Sequence, residues 1–150
     1  MPTQEESSVA PMPSLADRFG GDEAAATVAG LPEVAEAHEG GADSRGLHAA
    51  VLRARKQATS LERPAIDEVL RRRRAFAMRI GSAPGMFTLN GIGTRLYGAA
   101  EPNRHDGTSI ATLFLTLIYV PVLPLASYLV RPAGGGVLRR SWQFFAKVTL

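Results

Sequence analysis

The feature that most constrains this chain is an uncharged run from Gly107 to Val130, which contains the apolar stretch LFLTLIYVPVLPLASYLV. A run of about 20 apolar residues is long enough to cross a bilayer as a helix. Pro121 and Pro124 lie near its middle, and in a helix without neighbours each proline costs about 3 kcal/mol. That cost nearly cancels the favourable insertion of the apolar side chains. Hydropathy alone therefore leaves two alternatives, a membrane helix and buried strands.

Residue type favours the strands. SIATLFLTLIYV is rich in the β-branched and aromatic residues typical of a strand packed on both faces. VPVLP then interrupts it, because proline is found at strand ends and bulges. Residues 141–150, SWQFFAKVTL, alternate apolar and polar side chains, and MFTLNGIGTRLYG contains an Asn90-Gly91 turn signal. These segments predict a small antiparallel sheet of about four strands in a β-rich domain over residues 86–150.

The first third of the chain is acidic and poor in large apolar side chains. Residues 1–50 hold nine acids and two bases, and Phe19 is the one aromatic residue among the first 47. Such a segment cannot bury enough apolar area to offset its ordering entropy. Residues 1–47 are therefore predicted to be a disordered acidic arm, with transient helices at most across Asp22–Ala29 or Pro32–His38.

Residues 48–85 are predicted to be a basic helical segment and linker. Ser60 is a candidate N-cap and Pro64 suits a first helical turn. Apolar residues follow at helical spacing, and glycine and proline over residues 81–85 end the pattern. The predicted fold class is α+β: a disordered N-terminal arm, one helix, and then the antiparallel sheet of about four strands.

The helix carries four consecutive arginines, the candidate site residues Arg71, Arg72, Arg73 and Arg74. Side chains of four consecutive helical residues point to all sides, so a solvated helix is the simplest interpretation. The functional alternatives are binding to anionic lipid and binding to nucleic acid through residues 51–80, which hold nine bases and three acids. Lipid is favoured over nucleic acid, because an apolar run follows and no aromatic residues are interleaved to stack on bases.

The sequence does not favour an enzyme. It contains no cysteine, which excludes disulfides, thiolate metal sites and a cysteine nucleophile. His105 and Asp106 are adjacent and Ser109 is near, but neighbours in a turn are seldom arranged as nucleophile, base and orienting acid. We expect no catalytic residue, no cofactor and no metal site. The first residues do not form a signal peptide, so a cytoplasmic location is expected, with membrane association left open.

Three motifs within residues 86–150 resemble a bacterial family of unknown function. GIGTRLYG, DGTSIAT and PVLPLASYLV are similar to that family's pattern of GIGT-x-x-YG, DGS-[YF]-I-x-T and P-x-x-PL-x-S-Y-R-V. Leu113 and Phe114 stand where a tryptophan-containing pair is usual, and Leu129 replaces a usual arginine. The resemblance implies an architecture and no activity. It also implies that residues 1–85 are either a lineage-specific extension or an overlong gene prediction.

The predicted function is that of a non-enzymatic β-rich interaction or structural module, with a membrane surface as a candidate location. A sheet of about 65 residues is marginal alone, so the expected partner is another protein or a second copy of this chain, with anionic lipid as a further candidate. Two alternatives stay open. One is an integral membrane protein with a single span at about residues 110–130, and the other is a nucleic-acid binder acting through residues 51–80.

Overall fold

The computed structural model describes residues 3–4, 6–134 and 141–148 of the chain, which divides into two units. The helical unit comprises Pro13–Met78 and Asn103–Asp106. The sheet unit comprises Met1–Met12, Arg79–Pro102 and Gly107–Leu150.

Short helices with clear start signals build the helical unit. Their bounds are α1 (Leu15–Phe19), α2 (Glu23–Ala29), α3 (Pro32–Glu39), α4 (Ser44–Gln57), α5 (Arg63–Arg71) and a 3-10 helix (Arg73–Phe76). The side chains of Ser14, Asp22 and Asp43 each accept a hydrogen bond from the backbone N–H three residues on, as N-caps do. Helices α3 and α5 have proline in the first turn, where its missing N–H costs nothing.

One apolar core holds these helices together. Its fully buried large side chains are Phe19, Val28, Val34, Leu47, Val51, Ile66 and Val69. Helix α4 presents Leu47 and Val51 to this core at a spacing of four residues, so both lie on one face. The helices before it are too short to be stable alone, and this shared core supplies the contacts that they need.

The sheet unit is a mixed sheet. Its strands are β1 (Thr3–Gln4), β2 (Glu6–Val9), β4 (Phe87–Leu89), β5 (Ile92–Ala100), β6 (Ser109–Leu117), β7 (Val120–Gly134) and β8 (Ser141–Val148), and β3 (Met78–Arg79) lies where the chain passes between the units. In the described residues the strands follow the order β1-β4-β5-β6-β7-β8-β2. The pairs from β1 to β8 are antiparallel, and β2 joins β8 in parallel. Thr149 and Leu150, which the alternating pattern places in the last strand, lie outside the described residues.

The predicted fold class, with a disordered arm, one helix and about four antiparallel strands, is wrong. The described residues contain five helices, three of them before residue 40, and a larger sheet that includes a parallel pair. The disorder prediction weighed residues 1–47 by their own apolar content. In the structure their few apolar side chains pack onto α4 and α5, which lie later in the sequence.

The uncharged run forms two strands joined by a tight turn. Strand β6 and the first part of β7 cover most of residues 110–130, where the membrane-span alternative places a helix. None of the helices in the described part of the chain is both long and apolar enough to cross a membrane.

Candidate functional site

The most unusual surface of the sheet unit is a set of large apolar side chains exposed at one end of strands β4 to β7, which we call the apolar tip. Their exposed fractions run from 38% at Leu115 to 73% at Ile118. The members are Phe87, Leu89, Ile92, Leu115, Leu117, Ile118, Tyr119, Val120, Val122, Leu123 and Leu125. Exposed apolar patches of this kind mark interaction sites more often than single exposed apolar residues do.

Strand pairing brings these side chains together. In the β4–β5 hairpin Leu89 pairs with Ile92. In the β6–β7 hairpin Leu117 pairs with Val120, and Leu115 pairs with Leu123. Since β5 pairs with β6, the two hairpins lie side by side and their apolar ends form one surface.

Two irregularities in β7 widen this surface. The register of β7 against β6 shifts between Leu113 and Phe114 and again between Leu115 and Thr116. Each shift leaves one extra residue in β7, at Leu125 and at Val122, and each of these follows a proline. Proline suits a bulge because it has no N–H to donate to the ladder. As a result, all six residues of β7 from Val120 to Leu125 are exposed, where a regular strand would bury every second one.

The turn at the end of the β6–β7 hairpin is unfavourable for its residues. Ile118 and Tyr119 have φ angles of 49° and 63°, the left-handed values of a type I′ turn, which strongly prefers Asn-Gly. A β-branched residue in this region is a genuine outlier, and such strain costs about 1–3 kcal/mol per residue. The neighbouring hairpin turn, Asn90-Gly91, has the favoured residues at φ 51° and 82°. Strain of this kind is concentrated at functional sites.

The two turns are in direct contact. The backbone N–H of Tyr119 donates to the carbonyl oxygen of Gly91 at 2.9 Å. A Cβ atom on Gly91 would lie 3.0 Å from both Ile118 Cα and the Tyr119 ring, a tight contact, and the φ of 82° disfavours any residue other than glycine. The hydroxyl of Tyr97 donates to the Tyr119 carbonyl at 3.2 Å. These contacts hold the strained turn in place.

The tip projects beyond the last described pair of β7 with β8. Among the residues that the structure describes, β8 pairs with β7 from Ser127 to Gly134. Within the described residues, the preceding part of β7 pairs with β6.

The arginine run, the site predicted from the sequence, does not form one surface. Helix α5 ends at Arg71, and Arg72 has extended backbone angles, φ −80° and ψ 121°. The 3-10 helix then begins at Arg73, so that Arg71 and Arg73 are exposed, whereas Arg72 is half-buried and Arg74 is buried. Binding of an anionic surface by the run stays a prediction, for which Arg71 and Arg73 supply the exposed charges.

The two inward-pointing arginines bind the carboxyl-terminal end of α1. Arg74 Nε donates to the Arg18 carbonyl at 3.2 Å and its Nη2 donates to the Asp17 carbonyl at 3.0 Å. Arg72 Nη1 donates to the Phe19 carbonyl at 2.7 Å. The last carbonyls of a helix have no partner within the helix, and positive charge is favourable at that end. Arg72 and Arg74 therefore act as capping groups for α1.

Arg72 also forms a bidentate ion pair with Asp22. The distances are 2.8 Å from Nη1 to Oδ1 and 2.6 Å from Nη2 to Oδ2. The Arg72 guanidinium lowers the pKa of the Asp22 carboxyl to about 2, partly opposed by burial and assisted by the Ala25 N–H.

This pair predicts a specific pH dependence of stability. A carboxyl whose pKa is lowered by folding contributes its stability fully above the unfolded value of 3.8 and loses it as the pH falls through about 2. Because the carboxylate is 53% exposed, we expect a contribution of about 1 kcal/mol after screening by solvent. In urea titrations at several pH values, wild type should be more stable than Asp22→Asn at neutral pH, and the difference should shrink toward zero as the pH falls through about 2. Asparagine retains the N-cap, so parallel stability profiles for the two proteins would contradict the assignment.

A second polar cluster in the helical unit surrounds Asp17. His105 Nδ1 lies 2.8 Å from Asp17 Oδ1, and the Ser14 hydroxyl donates to Oδ2 at 2.6 Å. Asn103 Nδ2 donates to Oδ1 at 3.3 Å. Burial alone would raise the pKa of Asp17, but these hydrogen bonds together lower it.

The order of groups in this cluster differs from that of a hydrolase. In a nucleophilic triad the imidazole lies between the hydroxyl and the carboxylate. Here the Asp17 carboxylate lies between the Ser14 hydroxyl and the His105 imidazole, so the histidine is not placed to activate that serine. In the described part of the chain no three metal-ligating side chains gather as a metal site requires. The cluster ties the turn around Asn103 to α1 within the helical unit.

Sequence reasoning missed the apolar tip as a site, because it treated the uncharged run as buried. The one available signal was local. Tight hairpin turns favour Asn, Asp and Gly, whereas this turn contains the large apolar residues Ile118 and Tyr119. Apolar residues at such a turn indicate that the turn contacts something outside the sheet.

No family model matches the sequence, and no curated protein or solved structure matches it either. The resemblance of residues 86–150 to a bacterial family of unknown function stays a prediction.

Proposed function

We propose that this chain is an interaction module that docks through the apolar tip of its sheet unit. The observation that carries the proposal is the continuity of eleven exposed apolar side chains across strands β4 to β7. Two of them, Ile118 and Tyr119, are held in a turn conformation that their residue types disfavour. Stability alone would favour polar turn residues at this point, so binding is the more economical explanation.

The energetics support docking. Burying a Val, Leu, Ile or Phe side chain completely is worth roughly 1.5–3 kcal/mol. About half of each side chain in the tip is exposed, so complete coverage would release on the order of 10 kcal/mol. Association costs an estimated ~4–15 kcal/mol in lost freedom. The gain from covering the tip is therefore of the same size as the cost of association, so the tip can supply most of the driving force for docking.

A triple substitution that we call the tip variant, Ile118→Asn/Tyr119→Gly/Val120→Thr, tests the proposal. It replaces the three most exposed members of the tip, which are 73%, 60% and 58% exposed, and converts the turn into the favoured Asn-Gly type. We expect the free energy of unfolding to rise by about 1–2 kcal/mol, because the left-handed strain is relieved. We expect retention on a phenyl matrix and enhancement of anilinonaphthalene sulfonate fluorescence to fall severalfold at the same time.

Leu61→Asn is the matched control, because Leu61 is 89% exposed but lies outside the tip, in the helical unit. It should leave both hydrophobic-binding readouts near the wild-type level. Equal losses in the control and the tip variant, or no loss in the tip variant, would contradict the proposal. Since the tip variant is expected to gain stability, unfolding cannot account for a loss of binding.

A further inference from the structure

In β7 the apolar tip is exposed on both sides of the strand. All six residues from Val120 to Leu125 are exposed, because the two bulges turn side chains outward on either side of β7. A protein that packs flat on a sheet, a second copy of this chain included, covers one face. Both faces are covered at once by a medium that surrounds the hairpin, as the boundary between acyl chains and headgroups does.

The backbone of the tip meets part of the requirement of an apolar medium, since its inner edge is paired with β6 and its outer edge lacks two N–H donors. In lipid, backbone N–H and C=O groups must be paired within the protein. The hairpin pairs β6 with β7 to its end, up to Leu117 and Val120. Pro121 and Pro124 remove two N–H donors from the part of β7 that lies beyond its last described pair with β8. The same prolines hinder pairing of this edge with a strand from another molecule.

The charges of these strands complement an anionic surface. Arg95 and Arg131 are the only charged residues of β4 to β7, so these strands contain no acid. Arg95 pairs with Phe114, four residues before the turn, which places it about 13 Å from the end of the hairpin at 3.3 Å per residue. Interfacial elements enter a bilayer by about 5–10 Å, so Arg95 would lie near the lipid phosphates. Tyr119 at the turn is of the type enriched at membrane interfaces.

From these observations we infer that the partner of the apolar tip is a lipid bilayer containing anionic phospholipid, entered by the β6–β7 hairpin. This inference rests on the proposed function and names its partner. The hairpin does not cross the bilayer. It reaches the acyl boundary with its apolar end and leaves Arg95 at headgroup level.

Single-cysteine labelling tests the depth of insertion, since the natural chain has no cysteine. Val122→Cys in the tip and Leu61→Cys in the helical unit are each labelled with an environment-sensitive fluorophore in the full chain. The probes are vesicles of phosphatidylcholine alone and vesicles that also contain phosphatidylserine. The label at Val122 should shift to the blue and brighten on vesicle addition, whereas the label at Leu61 should not change.

Affinity measurements complete the test. Flotation with vesicles should be about fivefold stronger when phosphatidylserine is present, the effect expected of one base near an anionic surface, and high salt should remove this difference. The tip variant should lose at least about tenfold in affinity, since three of its apolar side chains are removed or made polar.

The outcomes separate the two proposals. If wild type does not bind vesicles but forms oligomers in light scattering that the tip variant lacks, the lipid inference is overturned while docking through the tip stands. If wild type binds neither vesicles nor itself and matches the tip variant on the phenyl matrix, both proposals are overturned. A blue shift at Leu61 equal to that at Val122 would also overturn the lipid inference, because insertion would not be confined to the tip.

Discussion

Arg74→Ala should lower the free energy of unfolding by about 2–5 kcal/mol, the range expected when buried acceptors lose a charged donor and a large side chain leaves a cavity. Arg74 is 1% exposed, and its guanidinium donates to two carbonyls at the end of α1. Truncation leaves these carbonyls without that donor and also creates a cavity. Urea unfolding followed by far-UV circular dichroism measures the loss.

Arg71→Ala is the matched control within the same run of four arginines. Its side chain is 75% exposed, and its ion pair with Glu68 is 3.7 Å long. Exposed pairs of this kind contribute little, so the change should stay within about 0.5 kcal/mol. Equally small changes in the free energy of unfolding at the two positions would mean that all four arginines are solvated. That result would contradict the capping role of Arg74.

Phe19→Ala should destabilise the helical unit by about 3–5 kcal/mol, as is typical when a buried aromatic side chain is truncated. Phe19 is fully buried, and its ring lies 6.0 Å from that of Phe76. The same circular dichroism titration reports on the helices, while fluorescence of Trp142, the one tryptophan in the chain, reports on the sheet unit.

This substitution discriminates between an ordered and a disordered amino-terminal segment. In a disordered arm, Phe19 has no folded contacts to lose, and the variant would unfold like wild type. Leu61→Ala provides the comparison, because Leu61 is 89% exposed and its truncation should change stability by less than about 0.5 kcal/mol. Equal stability of wild type and Phe19→Ala would contradict the packing of α1.

Several elements follow from local sequence signals. The β-branched composition of SIATLFLTLIYV matches β6, and the Asn90-Gly91 signal matches the β4–β5 hairpin turn. The segments Asp22–Ala29 and Pro32–His38, considered as transient helices, coincide closely with α2 and α3. These features depend on caps, turn chemistry and residue type within a few residues, and such signals can be read without knowing what the segment packs against.

Order in the first third of the chain could not be derived in this way. Phe19, Val28 and Val34 are too few to form a core, and they become buried because α4 and α5 present their own apolar faces to them. The requirement for burial is therefore met by side chains distant in sequence. An estimate of buried apolar area made for one segment at a time omits the side chains that distant segments contribute to the core.

The candidate sites show the same division. By itself the sequence determined that four arginines follow one another, and its residue types favoured strands over a membrane helix in residues 110–130. Which side of each element is covered was decided only by the tertiary structure. Helix α5 ends at Arg71, and the extended Arg72 and the 3-10 helix that follows direct the side chains of Arg72 and Arg74 toward α1. The bulges beside Pro121 and Pro124 turn β7 outward past the last described pair with β8. Secondary-structure propensity depends on neighbouring residues in the sequence, whereas the burial of a side chain depends on which distant parts of the chain pack against it.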